Sequence, residues 1–157
     1  MGLIIGPTPW WQANIVSVCP EGTYLPDGSR IICKSGGTAW IIAPACTQIP
    51  SQWAGGQYNS TLVGDKCCVS EWGGLKNTLI NLGFNPTDWF VPCRELLQNT
   101  GYVCRTKWDS FTTANYWSST EGTSTASFRV CFSNNGVAGL GNKPEGQFVR
   151  AMRCVTY

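Results

Sequence analysis

Histidine is absent from all 157 residues. That excludes the Ser-His-Asp and Cys-His arrangements of nucleophilic catalysis and every His-ligated metal site. Charge is scarce too: Asp, Glu, Lys and Arg make up 13% of the chain, against about 25% in an ordinary soluble domain. Net charge is +2 and no basic run exceeds two residues, so the electrostatic footprint of nucleic-acid binding is missing. No apolar stretch approaches the ~18 residues needed to cross a bilayer, which excludes membrane insertion by a helix. The cysteines never fall into C-x-x-C spacing, which argues against zinc, and no metal or other cofactor is expected. There is no internal repeat and no low-complexity segment. The opening string "MGLIIGPTPWWQANIVSVCPEG" has no basic residue ahead of its apolar stretch, and Pro7 and Pro9 interrupt it. It reads as no secretory signal. Without Ser or Thr at the sixth position it is also a poor myristoylation match.

What remains is apolar and uncharged. The chain is 43% hydrophobic, and its length suits one domain with a core large enough to need no metal or disulfide. The surface must then be covered mainly by Ser, Thr, Asn, Gln and Gly. Nine cysteines stand at 19, 33, 46, 67, 68, 93, 104, 131 and 154. The odd count leaves at least one unpaired or bridging to another chain, and two readings stay open: oxidised staples, or small hydrophobes in a packed core. A cysteine-rich, charge-poor chain with no export signal fits a virion component released by lysis. An extracellular or bacterial-surface location is the alternative.

Periodicity divides the chain. Residues 1–20 read as an arm without helical period, with Trp10 and Trp11 either folded back onto this domain or serving as an attachment pair for a neighbouring subunit. "DGS" and "SGG" are turn signals around "RIICK" and "TAWIIA", which predicts a hairpin over 29–43. Residues 46–66 read as a polar, Gly-rich loop. Trp72, Leu75, Leu79 and Leu82 form one helical stripe, with Ser70 as its start cap and Gly83 as its end. A second, shorter helix has Pro92 in its first turn and Gly101 as its stop. "ANYWSST" and "TASFRVCF" are strands, the latter with Ala126, Phe128, Val130 and Phe132 on one face. "SNNGVAGLGNKPEGQ" reads as a long loop, and "FVRAMRCV" as a single closing strand.

The strings "GTYLPDGSRIICKSGGTAWIIAP", "TDWFVPCRELLQ", "NYWSSTE" and "FVRAMRC", in this order, resemble the C-terminal domain family of the Legionella collagen-like adhesin. That family is a branch of the C-type-lectin-like fold. Its motifs match here at Trp89 to Pro92 with Glu95 and Leu96, at Tyr116 to Glu121, and at Val149 to Arg153. The resemblance covers roughly residues 22–155. It implies an α+β fold: a C-type-lectin-like domain over 21–157 with antiparallel strands, two helices and long loops, its first and last strands paired. It further implies adhesion, often to glycans, in bacterial surface proteins and phage fibres. Formylglycine-generating enzymes share the fold but use a cysteine pair that Cys131 and Cys154 do not reproduce. The Glu-Pro-Asn, Gln-Pro-Asp and Trp-Asn-Asp strings of calcium-binding lectins are absent.

Within "NYWSSTE", alternation sends Tyr116 and Ser118 to one face and Trp117 and Ser119 to the other. Trp117 is expected in the core. Glu121 is expected to pair with Arg150 or Arg153 of the closing strand, a buried pair that fixes geometry. The candidate ligand surface is Asn134, Asn135, Asn142, Lys143 and Glu145, with Trp108 to stack on a sugar face and Asp109 beside it. The leading function is a phage virion adhesion protein (fibre, knob or decoration component) that binds a host-surface glycan or protein. Alternatives are a purely structural capsid decoration or cement protein, and a free glycan-binding adhesin. The expected partners are other virion subunits in an oligomer. Catalysis is not expected; a reactive thiol, if any, would be Cys93 beside Arg94 or Cys104 beside Arg105. "NST" at 59–61 matches a glycosylation acceptor.

Overall fold

The computed structural model describes residues 10–157. Among these the chain is α+β, with two sheets and a few short helices. The smaller sheet grows from a glycine turn. Gly36 and Gly37 both take positive φ, 58° and 81°, as a two-residue type I′ hairpin turn requires. They fold β1 (Arg30–Ser35) onto β2 (Thr38–Ile42), with Ser35 opposite Thr38. The expected hairpin is present. The last strand, β8 (Met152–Thr156), pairs with β2 and not with β1, so the order is β1-β2-β8. The implied pairing of first and last strands is thus displaced by one strand.

The larger sheet has the order β3-β7-β4-β5-β6. Its centre is β4 (Asn115–Glu121), flanked by β5 (Ala126–Cys131) and β7 (Gln147–Val149). Tyr116 and Trp117 point to opposite faces and each enters a different hydrophobic cluster. Central placement buries both faces of β4, which explains its run of apolar and small residues. Not every pairing is antiparallel: β4 and β7 run parallel where Tyr116 meets Phe148. Three expectations are corrected here. "FVRAMRCV" is two strands, β7 and β8, because the chain leaves one sheet and joins the other at Arg150 and Ala151. The stretch read as a long loop holds β6 (Val137–Asn142), paired along its length with β5. Asn135 and Gly136, both at positive φ, turn the chain between them. The 46–66 stretch contains β3 (Ile49–Ser51) and the fully buried Trp53.

The helices are short. Residues 10–18 are no irregular arm: α1 (Trp10–Val18) buries Val16, and Ala13, Ile15 and Cys19 pack against the first cluster. Its terminal carbonyls are not left orphaned, since the Lys34 ammonium donates to Val16 O at 2.7 Å and Cys19 O at 2.8 Å. Residues 1–9, and the side chains of Trp10 and Trp11 with their expected attachment role, lie outside the described residues. α2 (Gly73–Asn81) buries Leu75 and Leu79 and leaves Leu82 exposed. It ends in a Schellman motif: Gly83 at φ 86°, with Gly83 N–H to Ile80 O and Phe84 N–H to Leu79 O. Ser70 is not its cap; it lies in a separate 3-10 turn, Val69–Glu71. α3 (Arg94–Leu96) widens into a π-helix, Leu97–Tyr102, and runs through Gly101 instead of stopping there.

Candidate binding surface

At one end of the larger sheet an ion pair is sealed from water. The Lys143 ammonium sits 2.6 Å from Glu121 Oε2, and the two side chains are 0% and 4% exposed. Lys143 also donates to Thr61 O at 2.9 Å and lies over the Trp53 ring. Glu121 accepts from the Val63 amide at 3.0 Å and the Gly64 amide at 2.6 Å. Burial alone would raise the Glu121 carboxyl; Lys143 and the two amides outweigh it and hold it below the usual carboxylate range.

This pair fastens a loop that has no secondary structure of its own. Its neighbours complete the seam: the Glu121 amide donates to Asp65 Oδ1, and the Lys66 amide to Ser119 O. Residues 61–66 are therefore tethered at nearly every position along the end of β4. Leu62 stands between the tethers, 68% exposed. The Lys143 amide donates to Thr125 O, which brings the exposed turn 122–125 and exposed Asn142 alongside. The resulting face carries Leu62, hydroxyls from Thr123, Ser124 and Thr125, and the Asn142 amide, with the half-exposed Leu140 against Gly122. Such a face can hydrogen-bond a polyol or a peptide, with the exposed Asp65 carboxylate as the charged group at its edge.

The expected pairing of Glu121 with an arginine is overturned. Arg150 instead pairs with Asp109 Oδ1, donates to Ala43 O and Ser110 O, and lies over the Trp108 ring. Arg153 is buried with its guanidinium over Trp89. Burial lowers both arginines, opposed by Asp109 for Arg150 and Asp88 for Arg153. The alternation of β4 shows only which face a side chain takes. It carries no signal for the partner of Glu121, a lysine that the sequence places in apparent loop.

The proposed ligand residues do not form one surface. Trp108 is 3% exposed and packs edge-on to Tyr116 and Phe111, so it offers no face to a sugar. Asp109 is committed to Arg150 and to the Ala45 amide. Lys143 is the buried cation described above, and Glu145 pairs with Arg129 at 3.0 Å. Asn134, Asn135 and Asn142 are exposed, but β6 separates the first two from the third. At about 3.3 Å per residue that is roughly 20 Å. Trp117 is 1% exposed and its indole N–H donates to Ser51 O. Trp53, Thr61, Val63 and Gly64 went unread, because their roles depend on contacts far along the chain.

Elsewhere a cleft of about 370 Å³ is lined by Cys67, Cys68, Pro86, Asp88, Trp89 and Phe90. Burial raises the Asp88 carboxyl, with Arg153 opposing. The nine cysteines are free thiols in this structure. Cys104 is not activated by Arg105: burial pushes its thiol up to about 12, and the Cys33 thiol beside it adds to the rise. Among the described residues no group of three or more Cys, Asp or Glu is placed to hold a metal ion. No helix among them is long and apolar enough to cross a membrane. Neither a protein-family model nor a curated protein matches the chain.

Proposed function

We propose that this chain is an adhesion module of a virion, a fibre, knob or decoration component, with a C-type-lectin-like domain that binds a host-surface glycan or protein. The supporting observation is the loop seam. A buried ion pair is a costly way to add stability, but it holds an irregular polar loop in one shape. Loops held on a rigid scaffold are where recognition is usually carried, and a pre-shaped loop loses less freedom on binding. The recognition face is then Leu62, the 122–125 turn and Asn142. In support of the lectin-like reading, the final strand returns beside the early hairpin, and the helices at 73–81 and 94–102 stand between that hairpin and β4 in sequence.

Two measurements test the reading. Sedimentation of the native protein from its source, with mass spectrometry of the fractions, should find it at fixed stoichiometry in large particles; a free small species contradicts the virion assignment. The full chain should also bind members of an immobilised glycan panel or intact host cells. Leu62→Asp should weaken that binding at least about tenfold, the equivalent of ~1.4 kcal/mol, with an unchanged melting temperature. Undiminished binding by Leu62→Asp removes this face as the recognition surface.

A further inference from the structure

β1 is an edge strand of the smaller sheet, and its open side is clamped at two places to distant parts of the chain. At its start, Arg30 donates to Trp108 O at 2.7 Å and to Gly22 O at 2.6 Å. Near its end, the Lys34 amide donates to Glu21 Oε2 at 2.7 Å, while Glu21 Oε1 takes the Lys107 ammonium at 3.5 Å. The two clamps press the 104–108 segment against β1. Cys33 lies between them on β1, and Cys104 opens the facing segment. Both are half-buried and pack against the same hydrophobic cluster.

We propose that Cys33 and Cys104 are a disulfide-forming pair, a covalent clasp between β1 and the segment that follows the π-helix. Cys19, whose carbonyl takes the Lys34 ammonium, packs against the other hydrophobic cluster, and Cys154 is too far. Cys33 and Cys154 both flank Trp40 in the register, on opposite sides of β2. Two strand spacings put them about 9.6 Å apart, beyond the reach of a disulfide. The oxidant is a small-molecule disulfide, RSSR. The Cys33 thiolate attacks one sulfur of RSSR, forming a mixed disulfide and releasing RS⁻. Cys104 then loses its proton and attacks Cys33 Sγ, releasing the second RS⁻. Two protein thiols and RSSR become one protein disulfide and two RSH, with protons and electrons balanced. The partial burial that raises the Cys104 thiol leaves it to the second, intramolecular step, where proximity offsets low intrinsic reactivity.

The test uses the full chain, oxidised glutathione as RSSR, and alkylation of the remaining thiols. Tryptic cleavage isolates Cys33 in IICK (residues 31–34) and Cys104 in ELLQNTGYVCR (residues 95–105), each with a single cysteine. The expected result is the IICK–ELLQNTGYVCR pair as the dominant cross-linked species. Its closure of a long loop should raise the melting temperature on the order of 10 °C, a rise absent from oxidised Cys33→Ala. If both peptides carry the alkyl label while other cysteines cross-link, or if either links mainly elsewhere, the proposal is overturned. The peptide map of the unmutated chain decides this even if a cysteine variant fails to fold.

Discussion

Glu121 and Lys143 carry opposite charges into a place where neither meets water, so each depends on the other. Glu121→Gln keeps one acceptor oxygen but removes the counter-charge of the buried Lys143 ammonium, and turns an amide N–H toward the donors that Glu121 now accepts from. The expected loss is about 3–5 kcal/mol in urea unfolding, and Glu121→Gln with Lys143→Met should recover part of it. A loss below ~1 kcal/mol would mean that the pair is solvated. The acid limb of stability follows from the same site. Because the folded carboxyl is held below its usual range, its contribution is present above the unfolded pKa of about 4.3 and is lost as pH falls through the lower folded value. The acid unfolding profile of Glu121→Gln should therefore be flatter below about pH 4 than that of the parent. At this scale the sequence was informative about facing and silent about partners. Period-two alternation put Trp117 and Tyr116 on opposite faces. Nothing local told Glu121 to choose Lys143 over Arg150, because that choice is made by the return of β6.

Elements were legible where a turn residue and a period agreed. Gly36-Gly37 between two β-rich runs, and a leucine stripe ended by Gly83, each combine both signals. β6 was missed because "VAGLGN" has two glycines and little alternation, and its pairing with β5 supplies what its own propensity lacks. α1 was missed because its packing against the core, not its periodicity, makes it a helix. The turn before β6 is correspondingly demanding. Gly136 has φ 69°, and an added Cβ would collide with the Tyr102 ring. Gly136→Ala should cost about 2 kcal/mol or more, from the left-handed backbone and the clash together. Gly73, at the start of α2, has open space and no such φ. Gly73→Ala should stabilise by about 0.5 kcal/mol. Paired thermal melts check both, and equal effects at the two sites would contradict the assigned backbone geometry.

At the scale of the whole molecule, two sheets are joined by a chain that crosses between them at Arg150–Ala151, and a loop is fastened to the end of the larger sheet. The α+β class was an implication of the resemblance carried by the four strings, and the structure has it. The proposed recognition face was not readable in the sequence, because it gathers residues near 62, 123 and 142 that only the fold brings together. The central claim is that the ion pair gives the 61–66 loop a fixed shape. Native-state hydrogen exchange at the Val63 and Gly64 amides tests it most directly. The account predicts slow exchange at both, despite the absence of secondary structure, and a large loss of protection in Lys143→Met while the β1–β2 amides stay protected. If Val63 and Gly64 exchange as fast as the exposed 122–125 turn in the unmutated chain, the loop is not held, and the claim is contradicted.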